Sequence, residues 1–202
     1  MRLCDNCYEE LKQEVTDLFT RCHVNSLDYV GAPLVRDMGI SLIPYSTLAP
    51  QKNEVSLAIS DDGFYMEHEG QEYIFYNDQK PKERTKWTIM HELAHCILGH
   101  TADMEEAERE AEADFFAKYA LAPPPLVHQH RAVSWQDISD LCGLSVEASC
   151  NAFKYYNTWL MYGAKDYQDY ELDLLQLFGF TQRPGQENSI RPKRETKREN
   201  AS

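Results

Sequence analysis

The stretch TIMHELAHCILGH, residues 88–100, constrains this chain more than any other. Trp87, Met90, Leu93, Ala94 and Ile97 recur at helical spacing and Gly99 is a good terminator, so a helix is expected from about Glu83 to Leu98. A helix stacks residues four apart on one face, one turn above the other. His91 and His95 can therefore aim two imidazoles at a single ion, and zinc, which takes imidazole nitrogen at ~2.0–2.1 Å, suits that spacing without strain. Glu92 is poorly placed to ligate the same ion but well placed to touch a water beside it. It is the candidate general base, taking that water's proton and passing it on. The plain alternative is two ordinary histidines on a helix. Against it stands the apolar stripe, which leaves the histidine side free to face a cleft.

A catalytic zinc needs a third protein ligand and an open fourth position. The next helix, EEAEREAEADFFAKYAL, carries Glu105, Glu106, Glu108, Glu110, Glu112 and Asp114 in a row. Such rows are usually solvated faces, but this one ends in Phe115 and Phe116 and is interleaved with alanines, so part of it faces inward. Glu110 and Asp114 lie one turn apart on one side. Glu110 is the candidate third ligand, and Asp114 can accept a hydrogen bond from a ligating histidine and fix its tautomer. Glu112 is expected on the opposite side with Glu108, near water.

The rest of the chain reads as α+β. A helix is expected over residues 8–30, strands at Ile40–Tyr45 (with Pro44 marking an edge) and Val55–Ile59, and a hairpin from Phe64–Glu67 and Tyr73–Tyr76 around Glu-Gly-Gln. A small, mostly antiparallel sheet thus precedes the histidine helix. Asp103 and Glu106 suggest a capping box for the glutamate helix, and the prolines at 123–125 stop it. Ser134 and Asp137 open a further helix, Gly143 breaks it, and Ser145 caps the next; YELDLLQLF ends the folded body. Residues 134–165 have the spacing of a helix-turn-helix, but the second helix has one lysine and no arginine, so packing on the first part or docking a protein is preferred to DNA binding. Residues 1–180 are read as one domain. Residues 181–202 are polar, charged and expected to be disordered.

His91-Glu92-x-x-His95, Glu110-x-Glu112-Ala113-Asp114-x-Phe116-Ala117, Leu121-x-Pro123 and the downstream Asp137-Ile138-x-x-Leu141-x-Gly143-Leu144-Ser145-x-x-Ala148 resemble the ImmA/IrrE family of zinc metallopeptidases. The likeness covers about residues 10–165, with specific motifs in 88–150. It implies a minimal zincin-like fold, with His91, His95 and Glu110 as metal ligands, Glu92 as general base and Asp114 in support. It also implies a role in mobile elements or stress responses, as an anti-repressor that cuts a helix-turn-helix transcriptional repressor. The chain departs from the family in having Ala122, not methionine, before Pro123.

Charge and composition exclude other classes. The chain of 202 residues carries −13. Six basic and three acidic residues lie from Arg183 onward, so the body before it carries −16. Such a body repels phosphate backbones, and direct nucleic-acid binding is not expected. No apolar run suits a membrane span, no apolar leader follows Met1, and the six cysteines are scattered, so a reduced cytoplasm is expected. Cys4-x-x-Cys7 as half of a second metal site, His100 as more than a helix-terminus histidine, and His128, His130, Tyr119, Tyr155 or Tyr156 as oxyanion donors are discounted. The leading function is a zinc endopeptidase acting on a regulatory protein. Its rival is a non-catalytic regulator that binds a repressor or toxin and holds a metal only structurally, a role that needs no base at Glu92.

Overall fold

The computed structural model describes residues 3–162 and 166–180. Helix α1 (Asp5–Arg21) buries Leu11, Val15, Leu18 and Phe19, the stripe its spacing requires. It is shorter than the helix expected over 8–30. His23 takes a left-handed φ of 51° and Val24 N–H turns back to the Phe19 carbonyl, so a histidine fills the stop position that glycine usually marks. After α2 (Ala32–Asp37) the chain forms β1 (Ser41–Pro44) and α3 (Pro50–Ile59). The strand expected at Val55–Ile59 is therefore helix. Pro50 starts it, and the alternating Val55, Leu57 and Ile59 are 60%, 42% and 60% exposed, so their period of two meets no sheet.

Strands β2 (Gly63–His68) and β3 (Gln71–Tyr76) form the expected hairpin, closed by Glu69 and Gly70 with φ of 51° and 77°, the signs a two-residue type I′ turn requires. The strand order is β1-β3-β2, with β1 parallel and β2 antiparallel to β3. The sheet is mixed and not mostly antiparallel, because α3 carries the chain across before the hairpin returns beside β1. Pro44 does lie on an edge strand. Strand β2, the other edge, lies against α4 (Lys82–Ile97). Gly63 makes that approach possible: a Cβ there would lie 2.6 Å from the Thr88 methyl and 2.7 Å from the Phe75 carbonyl oxygen.

Helix α5 (Glu106–Leu121) packs along α4 and also meets α1. The capping box expected from Asp103 is not made. Glu105 is the N-cap without a side-chain bond, and Asp103 accepts the Thr101 hydroxyl instead. The prolines that stop α5 start α6 (Pro124–Gln129), which carries His128. Helix α7 (Trp135–Cys142) has the Ser134–Asp137 capping box. It is followed by α8 (Val146–Tyr162) and α9 (Asp169–Leu177), which packs back on α1. The architecture is α+β, with a core shared by α1, α4, α5 and the trailing helices. Cys4 and Cys7 are paired as a disulfide at the start of α1, in place of the free thiols expected from a reduced cytoplasm. No helix among the described residues is long and apolar enough to cross a membrane. The tail expected to be disordered lies outside the described residues.

Candidate metal centre

His91 and His95 stand on the α4 face opposite its buried residues Ile89, Leu93 and Met90, and look toward α5. Glu110 of α5 meets them. Its carboxylate is 3.3 Å from His91 Nε2 and 3.5 Å from His95 Nε2, while the two Nε2 atoms are 3.1 Å apart. Ligand atoms held at ~2.0–2.1 Å around a tetrahedral zinc sit roughly 3.3 Å from one another, so these three side chains fit that ion with little adjustment. Among the described residues they are the group able to hold a metal. Asp114 accepts from His91 Nδ1 at 3.0 Å. That bond places the His91 proton on Nδ1 and leaves the Nε2 lone pair facing Glu110.

The electrostatics differ from ring to ring. Burial opposes charge on His91, but Asp114, with Glu92 and Glu110 nearby, outweighs it and leaves the His91 pKa above its usual value. Burial, reinforced by His91, His100 and Arg109, holds His95 down to about 4. Glu92 sits beside the histidines, its Oε2 accepting the Tyr65 backbone N–H at 2.8 Å. Burial pushes its carboxyl up to about 7, which His91 and the Tyr65 bond only partly offset. The β2 edge thus orients Glu92 through a backbone donor that no side chain announces.

Two residues discounted on sequence join the site. His100 Nδ1 is 2.8 Å from His95 Nδ1, and His100 Nε2 is 2.9 Å from Glu112 Oε2. Glu112 was expected on a wet face with Glu108, but its side chain is only 21% exposed and turns to His100. The two-residue spacing from Glu110 does rotate it away from His91, and toward the segment that leaves α4. The signal was present: Gly99, in the left-handed region, folds the chain back so that His100 N–H bonds the His95 carbonyl at 3.0 Å. A residue in that position packs against the one five before it.

The site opens into a cleft of about 1300 Å³. Its far wall is one face of α8: Ala148, Asn151, Tyr155 and Thr158, at helical spacing. Tyr155 lies under the Lys118 ammonium, 4.4 Å away, and burial lowers the Lys118 pKa. Tyr156 does not reach the cleft wall; its hydroxyl pairs with His128 Nδ1 at 3.0 Å. Tyr119 is buried in the core and its hydroxyl has no partner among the described residues. His130 packs edge-on to Phe180. Of the discounted donors, Tyr155 alone lines the cleft.

No curated protein sequence matches the chain. The family model Peptidase_M78, described as the IrrE N-terminal-like domain, matches residues 42–154, which run from β1 into α8 and include Tyr65, His91, Glu92, His95, His100, Glu110, Glu112 and Asp114. That match spans more than half of the chain, and the chain belongs to this family of metallopeptidases.

Proposed function

We propose that the protein is a zinc-dependent endopeptidase of zincin-like design that cleaves a regulatory protein, a helix-turn-helix transcriptional repressor. The observation that carries this reading is the convergence of His91 Nε2, His95 Nε2 and the Glu110 carboxylate in the floor of a cleft, with Glu92 beside them. Zinc bound there would supply a Lewis acid that polarises the peptide carbonyl and lowers the pKa of water. His91, His95 and Glu110 hold it, and Asp114 orients the His91 ring. Glu92, anchored through Oε2 to the Tyr65 N–H, takes the proton of the attacking water at Oε1 and delivers it to the leaving amine. The lower wall formed by β2 and the α8 face across from it shape the space a peptide segment would enter.

A protein substrate suits the chain better than nucleic acid. The net charge is −13, which repels a phosphate backbone, and α8 offers the cleft a face of Ala148, Asn151, Tyr155 and Thr158. The non-catalytic alternative has no use for a half-buried glutamate next to the ligands. The test is incubation of the zinc-loaded protein with purified helix-turn-helix repressors, followed by mass analysis. A discrete pair of fragments, absent with a zinc chelator and restored by added zinc, is expected. An intact repressor bound to zinc-loaded protein would overturn the reading in favour of the non-catalytic regulator.

A further inference from the structure

We propose that His100 and Glu112 are positioning residues that hold the His95 ring in the tautomer and orientation a metal ligand requires; the proposal rests on the zinc centre argued above. The His100 side chain is 1% exposed, so its two ring nitrogens must find protein partners. Both do, and each partner belongs to the site or to the helix that carries Glu110. Nδ1 meets His95 Nδ1 at 2.8 Å and Nε2 meets Glu112 Oε2 at 2.9 Å.

The directions of these bonds follow from one end. The Glu112 carboxylate accepts, so His100 Nε2 donates to it. With its proton on Nε2, the His100 ring accepts at Nδ1. His95 must then donate from Nδ1, which leaves its lone pair on Nε2. That atom faces His91 Nε2 at 3.1 Å and Glu110 at 3.5 Å. The opposite assignment would put a proton on the His95 nitrogen that points at the ligand group. His91 receives the same treatment directly, from Asp114 at 3.0 Å. Each inward-facing nitrogen is therefore backed by a carboxylate of α5, one through a single bond and one through the His100 ring. The chain turn at Gly99 fixes His100 for this, since its backbone N–H is held by the His95 carbonyl at 3.0 Å. A side chain needed only to fill space here would be apolar, because a buried imidazole costs stability unless both nitrogens are bonded.

The experiment measures zinc affinity by chelator competition on the full chain, together with the melting temperature of zinc-free protein. The variants are Glu112→Ala, Glu112→Gln, His100→Leu and His100→Asn. Gln at 112 keeps an acceptor for His100, and Asn at 100 keeps an acceptor where Nδ1 stands. Glu112→Ala and His100→Leu should weaken zinc binding by about 10–100-fold, the usual loss when the partner of a ligating histidine is removed. Glu112→Gln and His100→Asn should recover most of it, whatever their melting temperatures. Wild-type affinity in Glu112→Ala would overturn the proposal. So would equal losses in the polar and apolar replacements that follow the zinc-free melting temperature, since that is the mark of packing alone. Should His100→Leu fail to fold, the partly exposed Glu112 pair decides the matter. Failure of the wild-type chain itself to bind zinc would instead refute the metal centre.

Discussion

Replacing Ala113 tests what sets the distance between the histidines and Glu110. Ala113, Ala117 and Ala120 are each 0% exposed and lie on the α5 stripe that also carries Glu110 and Asp114. Because those two carboxylates touch His91, the stripe faces α4, and methyl side chains are what let the helices come close. Ala113→Leu places an isobutyl group where no surface is free. Overpacking of this kind costs about 1–3 kcal/mol and shifts backbone. At roughly 2–4 °C per kcal/mol for a domain of this size, the zinc-free melting temperature should fall by about 2–12 °C. Metal–ligand distances tolerate only about 0.2 Å, and Glu110, 3.3 and 3.5 Å from the two Nε2 atoms, stands close to the spacing zinc requires, so a displaced α5 would break the fit. Zinc affinity should therefore fall by on the order of ten-fold or more. Ala113→Gly is the control: it costs about 0.5–1 kcal/mol as a helix-interior glycine but keeps the close approach, so affinity should hold. Calorimetry and chelator titration of the three proteins give the answer. A Leu variant with a lowered melting temperature and wild-type zinc affinity would refute the claim that these alanines set the ligand spacing.

Two further outcomes concern stability away from the ligands. Glu171 is 2% exposed and accepts from Trp159 Nε1 at 2.7 Å and from the Gln168 N–H at 3.0 Å; Glu171→Leu strands both donors and should cost at least about 1–3 kcal/mol in a denaturant titration, where an unmoved midpoint would contradict this. The Arg84 guanidinium beside Asp62, bonded at 3.0 and 2.5 Å, holds that carboxyl below its usual pKa. A depressed carboxyl contributes stability above its unfolded pKa of ~3.9 and loses it as pH falls through the folded value, so the melting-temperature gap between wild type and Arg84→Met should be small but present at pH 7 and should narrow steadily as pH falls below ~3.9. A gap that does not change with pH would show that Arg84 acts through packing.

Much of the site was legible because it is written in helical phase. His91, His95, Glu110 and Asp114 are each one turn from their neighbour on a helix whose apolar stripe is plain, and the structure brings them together. What was not legible depends on where the chain turns. The Val55–Ile59 alternation looks like a strand until Pro50 and the lack of a sheet neighbour make it helix. The parallel β1–β3 pairing cannot be seen in the strands themselves, since it follows from the excursion through α3. The phase of α5 against α4 alone points Glu112 at solvent, and its inward turn depends on a neighbour outside both helices. Its partner, His100, stands beyond the helix end, on a segment that Gly99 bends back. Tyr65 reaches Glu92 through a backbone N–H, and a backbone donor has no letter of its own.

The most direct measurement of the central claim is a paired assay of wild type and Glu92→Gln, reading zinc content and repressor cleavage on the same preparations. The amide keeps the size of the side chain and an oxygen for the Tyr65 N–H, and removes only the proton acceptor. Zinc content should be equal in the two proteins, while cleavage by the variant should be lower by about 10²-fold or more, the scale of general base catalysis. Undiminished cleavage by the variant, or loss of its zinc, would contradict the account of Glu92 as a base beside a metal held by His91, His95 and Glu110.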